Sequence, residues 1–183
     1  MRQSVGVILV TLLALSTFLG AKKMSPSQHT MQLTSSLFTH QSRLPVDVTC
    51  EGKDISPQLS WTNIPQGVKS FALICDDPDA PAKVWVHWLI FNIPATTTHL
   101  EAGIPTTATL ANGARQGMND SGTLGYGGAC PPKGHGTHHY IFTLYALDML
   151  LDLKPGISRA VLENAMKGHI LATGKIIGTY SRK

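Results

Sequence analysis

Read by the spacing of its apolar positions, this chain is mostly strands. Met31 to Phe38 fits a first strand, and Leu59-Ser60-Trp61 a short second one, closed by the turn signal Ile64-Pro65-Gln66-Gly67. The stretch from Pro45 to Pro57, with Cys50, Gly52 and Asp54, is loop chemistry. Ser70 to Cys75 is an apolar strand that gives way to a loop over Asp76 to Pro81. Lys83 to Ile93 is the strongest strand. It is rich in β-branched and aromatic residues and apolar on both alternating faces, which puts it in the middle of a sheet. Asn92-Ile93-Pro94 ends it, because proline cannot donate to a central ladder. Residues 95–132 are rich in Thr, Gly and Ala and form a long irregular connection, a length that goes with function or mobility in compact domains. His139 to Leu147 is a further strand. After the turn Asp152-Leu153-Lys154-Pro155-Gly156, Ser158 is the N-cap of a helix carrying Val161, Leu162, Ala165, Met166, His169 and Ile170 at helical spacing. Gly174 ends that helix, and Lys175 to Tyr180 is the last strand. The sum is a mainly antiparallel β protein with helical additions near the C-terminus.

The N-terminus departs from this pattern. Arg2 precedes an apolar run from Val5 to Leu19, followed by Gly20-Ala21-Lys22-Lys23. A basic start, a short apolar core and small residues before a polar stretch describe a secretory signal peptide over residues 1–21, cut after Ala21. The alternative is an uncleaved membrane anchor, although the run is short of the roughly 20 apolar residues that a span needs. A flexible polar segment, residues 22–30, and one domain, residues 31–183, complete the expected organisation. The address is then periplasmic or secreted. The net charge of +4 is small and its Lys and Arg residues are scattered, which leaves no nucleic-acid footprint. Of the three cysteines, Cys75 sits in an apolar strand and reads as a buried thiol. Cys50 and Cys130 lie in loops and make the better pair in an oxidising compartment, with the pairing left open by sequence alone.

Candidate chemistry gathers at strand ends. Cys75-Asp76-Asp77-Pro78-Asp79-Ala80-Pro81 is followed by Val86-His87-Trp88 and answered by Gly136-Thr137-His138-His139-Tyr140. Strand parity puts His87 on the face of Trp85, Leu89 and Phe91, and His138 on the face of Tyr140 and Phe142. Each imidazole lies among apolar groups and needs a partner. Asp77 or Asp79 can accept a hydrogen bond from one ring nitrogen, which fixes the tautomer and leaves the other nitrogen for a ligand. Pro131-Pro132-Lys133-Gly134 can add backbone donors and Tyr140 a hydroxyl. Such a set suits a phosphate or carboxylate better than a neutral ligand.

These segments, with Gly125-Tyr126-Gly127-Gly128, Cys130-Pro131-Pro132, residues 50–57 and residues 168–172, resemble the phosphatidylethanolamine-binding protein family, also called the Raf kinase inhibitor protein family, and its bacterial branch in particular. The resemblance runs from about Leu33 to Tyr180. It implies a central antiparallel sheet packed on a smaller sheet, with peripheral and C-terminal helices. It also implies an anion pocket of Asp77, Asp79, His87, Pro132, His138 and Tyr140. His139 stands where that family usually has Arg; parity turns it away from His138, toward the surface.

Other readings carry less. His135, His138 and His139 have no metal-ligand spacing with Cys or carboxylates, so no metal is expected. Asp120-Ser121-Gly122 resembles a serine nucleophile turn, but no Gly-x-Ser-x-Gly is present. Asn119-Asp120-Ser121 is a glycosylation sequon. The expectation is therefore a binding protein rather than an enzyme, with no cofactor and no catalytic residues. Its ligand is a phosphate-bearing small molecule or lipid head group. The alternative is a regulator of a protein partner, a protease or kinase; the resemblance also allows a homodimer.

Overall fold

The computed structural model describes residues 29–183, so the signal peptide expected over residues 1–21 and most of the expected flexible segment lie outside the described residues. The strands are β1 (His29–Thr30), β2 (Gln32–Thr34), β3 (Ser42–Arg43), β4 (Leu59–Thr62), β5 (Ser70–Asp77), β6 (Trp85–Pro94), β7 (His99–Leu100), β8 (Arg115–Gln116), β9 (His138–Leu147) and β10 (Ile170–Tyr180). A 3₁₀ turn covers Val46–Val48, and α1 covers Arg159–Met166. A seven-stranded sheet has the order β1-β10-β9-β5-β6-β8, with β3 also pairing β10; a three-stranded sheet has the order β2-β4-β7. The long strands β10, β9, β5 and β6 are antiparallel, while β1 and β3 add to β10 in parallel. The expected class, mainly β with a large sheet on a small one, is the class observed. Among the described residues there is one α-helix, and no helix is long and apolar enough to cross a membrane.

Alternation along β5 explains the two cores. Phe71, Leu73 and Cys75 point between the sheets, where they meet Trp61, Trp88, Tyr140 and Phe142. Ala72 and Ile74 point the other way, beneath α1, with Leu89, Phe91, Leu162 and Met166. Trp61 packs edge-on against Phe71 at 5.3 Å between ring centroids. Burial of side chains this size contributes about 1.5–3 kcal/mol each, so the inter-sheet core holds the frame on which the site sits.

Several boundaries differ from the sequence reading. The first strand is split and shorter, because residues beyond Thr34 turn away under hydrogen bonds such as Ser35 Oγ to the Gln58 carbonyl. Strand β5 continues through Asp77, past the expected loop start. The helix stops at Met166, and Gly168, at φ 82°, is the left-handed stop that sends the chain into β10. His169 and Ile170 are therefore not helical, and Gly174 lies inside β10, where a Cβ would meet the Met31 carbonyl at 2.9 Å. Ser158 occupies the N-cap position without a side-chain cap bond.

Strand parity failed at His87 for a clear reason. Cys75 faces Trp88 while Asp76 faces Val86, which leaves His87 as an extra residue, a β-bulge. The bulge moves the His87 ring to the inter-sheet side, where it packs edge-on against Tyr140 at 5.0 Å. Leu89 and Phe91 remain on the helix side. Without the bulge, His87 would point under the helix and the site would not form.

Candidate functional site

The C-terminal end of β5 and the N-terminal ends of β6 and β9 meet at one end of the large sheet. There they enclose a cavity of about 240 Å³. Asp77, His87, Pro132 and His138 line it together, along with Pro81 and Trp85. Five further wall residues also lie outside the expected binding set: Ala80, Ser121, Gly128, Cys130 and Pro131. The signal for Gly128 is steric. A Cβ there would come within 2.9 Å of the Thr49 backbone, so only glycine lets the wall close.

Asp77 is buried and fully used. Its Oδ1 accepts the Asp79 N–H at 2.8 Å, and its Oδ2 accepts from His138 Nδ1 at 2.6 Å. That contact fixes the His138 proton on Nδ1. The opposite ring nitrogen, expected to face a ligand, instead meets Nδ1 of His135 at 2.8 Å. The sequence offers His135 only beside His138 and His139 as a metal candidate, and its spacing does not announce this contact.

His87 is held twice by Gly127. Its Nδ1 donates to the Gly127 carbonyl at 2.7 Å, and the Gly127 N–H donates to the His87 carbonyl at 2.8 Å. Burial lowers the His87 pKa from 6.5, more than the Gly127 carbonyl and nearby carboxylates raise it. The neutral ring is the Nδ1–H tautomer, with an Nε2 lone pair.

Two expected site residues stand apart from the cavity wall. Asp79 is at the rim, where its Oδ2 accepts both the His139 N–H at 2.8 Å and His139 Nδ1 at 2.7 Å. The His139 hydrogen bond is the main reason that its carboxyl lies below the usual range. His139 itself points outward, as parity required. Tyr140 lies behind His87 with its hydroxyl buried and unpartnered among the described residues. Burial, aided by the neighbouring carboxylates, raises its pKa far above 10.0. Two N–H groups of this turn are committed, Gly134 N–H to the Arg182 carbonyl at 3.2 Å and His135 N–H to the Pro132 carbonyl at 3.1 Å, and its prolines have no N–H.

The surrounding loops are pinned. Lys83 bridges to Asp120 at 2.8 Å, and Asp120 also accepts the Val86 N–H at 2.8 Å. Cys50 and Cys130 are bonded, and Cys75 is a buried free thiol. Ser121 donates its backbone N–H to Asn119, and no imidazole of the cavity hydrogen-bonds its hydroxyl. The sequon is closed: Asn119 is buried and its amide is spent on Thr123, Ser121 and Gly125. Among the described residues no cluster of His, Cys, Asp and Glu has metal-site geometry.

With the geometry established, comparison with known proteins becomes informative. A family model described as phosphatidylethanolamine-binding protein matches residues 34–181. A UPF0098 protein of Methanothermobacter thermautotrophicus is 54% identical over 152 residues, covering 83% of this chain and 99% of that protein. The crystal structure of E. coli YbcL, described as a new member of the mammalian PEBP family, is 38% identical with a TM-score of 0.77, over 84% of this chain and 99% of that one. A phosphatidylethanolamine-binding protein homologue from Chlamydia trachomatis, CT736, is 37% identical with a TM-score of 0.77, over 85% and 99%. The chain belongs to the phosphatidylethanolamine-binding protein family.

Proposed function

We propose that this protein binds small phosphate-bearing or anionic head groups, of the phosphatidylethanolamine or phosphorylated-group kind, and does not turn them over. The observation that carries the reading is the cavity in which His87 and His138 converge, beside the unpartnered buried Tyr140 hydroxyl. At about 240 Å³ the cavity is smaller than the roughly 300–1,000 Å³ of drug-sized sites, so a head group fits and acyl chains stay outside. The apolar walls at Pro81, Trp85 and Pro132 suit the short carbon linker of such a ligand. The Ser121 hydroxyl is not paired to a base, which supports binding over hydrolysis. The Cys50–Cys130 bond suits an oxidising compartment and so supports export.

The test is calorimetric titration with phosphoethanolamine and inorganic phosphate, alongside His87→Ala and His138→Ala. Saturable binding that both substitutions weaken while the fold persists supports the reading. Unchanged affinity in both variants contradicts it.

A further inference from the structure

His138 has two polar ring atoms, and the structure commits both. Nδ1 is 2.6 Å from Asp77 Oδ2 and Nε2 is 2.8 Å from His135 Nδ1. The Asp77 carboxylate accepts only, so Nδ1 of His138 carries a proton. The second contact then has two forms. Either His138 is neutral and His135 donates into its Nε2 lone pair, or His138 is an imidazolium and donates to His135. In both forms Nε2 of His138, the nitrogen that Asp77 leaves over, is occupied before any ligand arrives.

The two rings differ in exposure. His138 is buried in β9, which pairs with β5 and β10 on its two sides. His135 is exposed on the turn that Pro132 opens, between Gly134 at φ 73° and Gly136 at φ 94°. Its ring makes one hydrogen bond, the one to His138. The charged and titratable groups around the pair are Asp77 on β5, Asp79 in the loop that follows, His139 next along β9, His87 on β6 and Lys133 in the same turn.

We propose that His135 is an internal competitor for the anion: its imidazole holds Nε2 of His138, a cavity-wall residue, and a phosphate gains that nitrogen only by displacing it. The inference rests on the anion-pocket reading and adds a residue that sets its affinity. Displacement gives up one net hydrogen bond, worth roughly 2- to 10-fold in affinity.

The experiment is calorimetric titration of the purified protein with inorganic phosphate at neutral pH, comparing wild type, His135→Ala and His138→Gln. The expected result is binding by wild type, loss in His138→Gln, and roughly 2- to 10-fold tighter binding in His135→Ala. A merely structural role for His135 would loosen the turn and weaken binding, so the sign of the change separates the two. Binding by wild type that His135→Ala leaves unchanged or weakens overturns this inference alone. Absence of binding by both wild type and His135→Ala overturns the anion-pocket reading and this inference with it.

Discussion

Asp77 and His138, on the neighbouring strands β5 and β9, place a carboxylate oxygen 2.6 Å from an imidazole nitrogen with both side chains buried. In a low-dielectric setting such a contact orients the ring and fixes which nitrogen carries the proton. Asp77→Asn keeps the shape and removes the charge. It is expected to lower stability by about 1–3 kcal/mol in urea unfolding and to weaken phosphate binding, since the ring loses its fixed tautomer. Unchanged stability and affinity would show that the pair is incidental.

His87 makes stability and binding respond to pH in opposite directions. Burial holds its folded pKa below 6.5, so the folded state takes up fewer protons than the unfolded chain as pH falls. Its stabilising contribution is present in full above 6.5 and is lost as pH falls through the lowered folded value. An anion at Nε2 favours the protonated ring, so phosphate affinity rises as pH falls from about 8 to about 6. Melting curves and titrations across this range check both slopes, and His87→Gln is expected to flatten them.

Asp76 sits on the opposite face, beneath α1. Burial raises its pKa to about 6, against the lowering pull of Arg159. Arg159 Nη1 is 3.1 Å from Asp76 Oδ1, yet that oxygen has no aligned hydrogen bond, so the pair is a charge contact and leaves the burial cost uncovered. The raised pKa means that the folded state loses stability as pH rises from the unfolded value of 3.8 through about 6, with the loss complete above it. Asp76→Asn is expected to stabilise the protein by roughly 1 kcal/mol at neutral pH and to have no such effect near pH 4. Denaturant titrations at the two pH values measure this difference.

The Cys50–Cys130 bond closes a long loop, with a sequence separation of 80, and Cys130 stands in the cavity wall. Replacing both cysteines by serine is expected to cost about 2–4 kcal/mol of stability. It should also weaken ligand binding, because residues 130–137 lose their tether to the segment around the 3₁₀ turn. Denaturation and titration of the double variant test the two effects together.

Much of the fold was legible because its long strands carry their own pattern. Phe71, Leu73 and Cys75 alternate with Ala72 and Ile74, and the motifs around Asp77, His87 and His138 mark the ends of such strands. The failures were of a different physical kind. The His87 bulge depends on pairing with β5, which periodicity within β6 cannot reveal. The helix-to-strand switch after Met166 turns on one left-handed glycine, Gly168, while the apolar spacing of His169 and Ile170 still fits a helix. The positions of Asp79 and His135 were not legible because they are set by partners: His139 holds Asp79 at the rim, and His138 engages the ring of an exposed loop histidine.

The most direct test of the central claim is side-chain ¹⁵N NMR of the histidines during titration with phosphoethanolamine. The account predicts saturable shifts at Nε2 of His87 and His138, with His99 and His169, far along the chain from these motifs, unmoved. Ring nitrogens of His87 and His138 that stay unchanged at saturating ligand would contradict it.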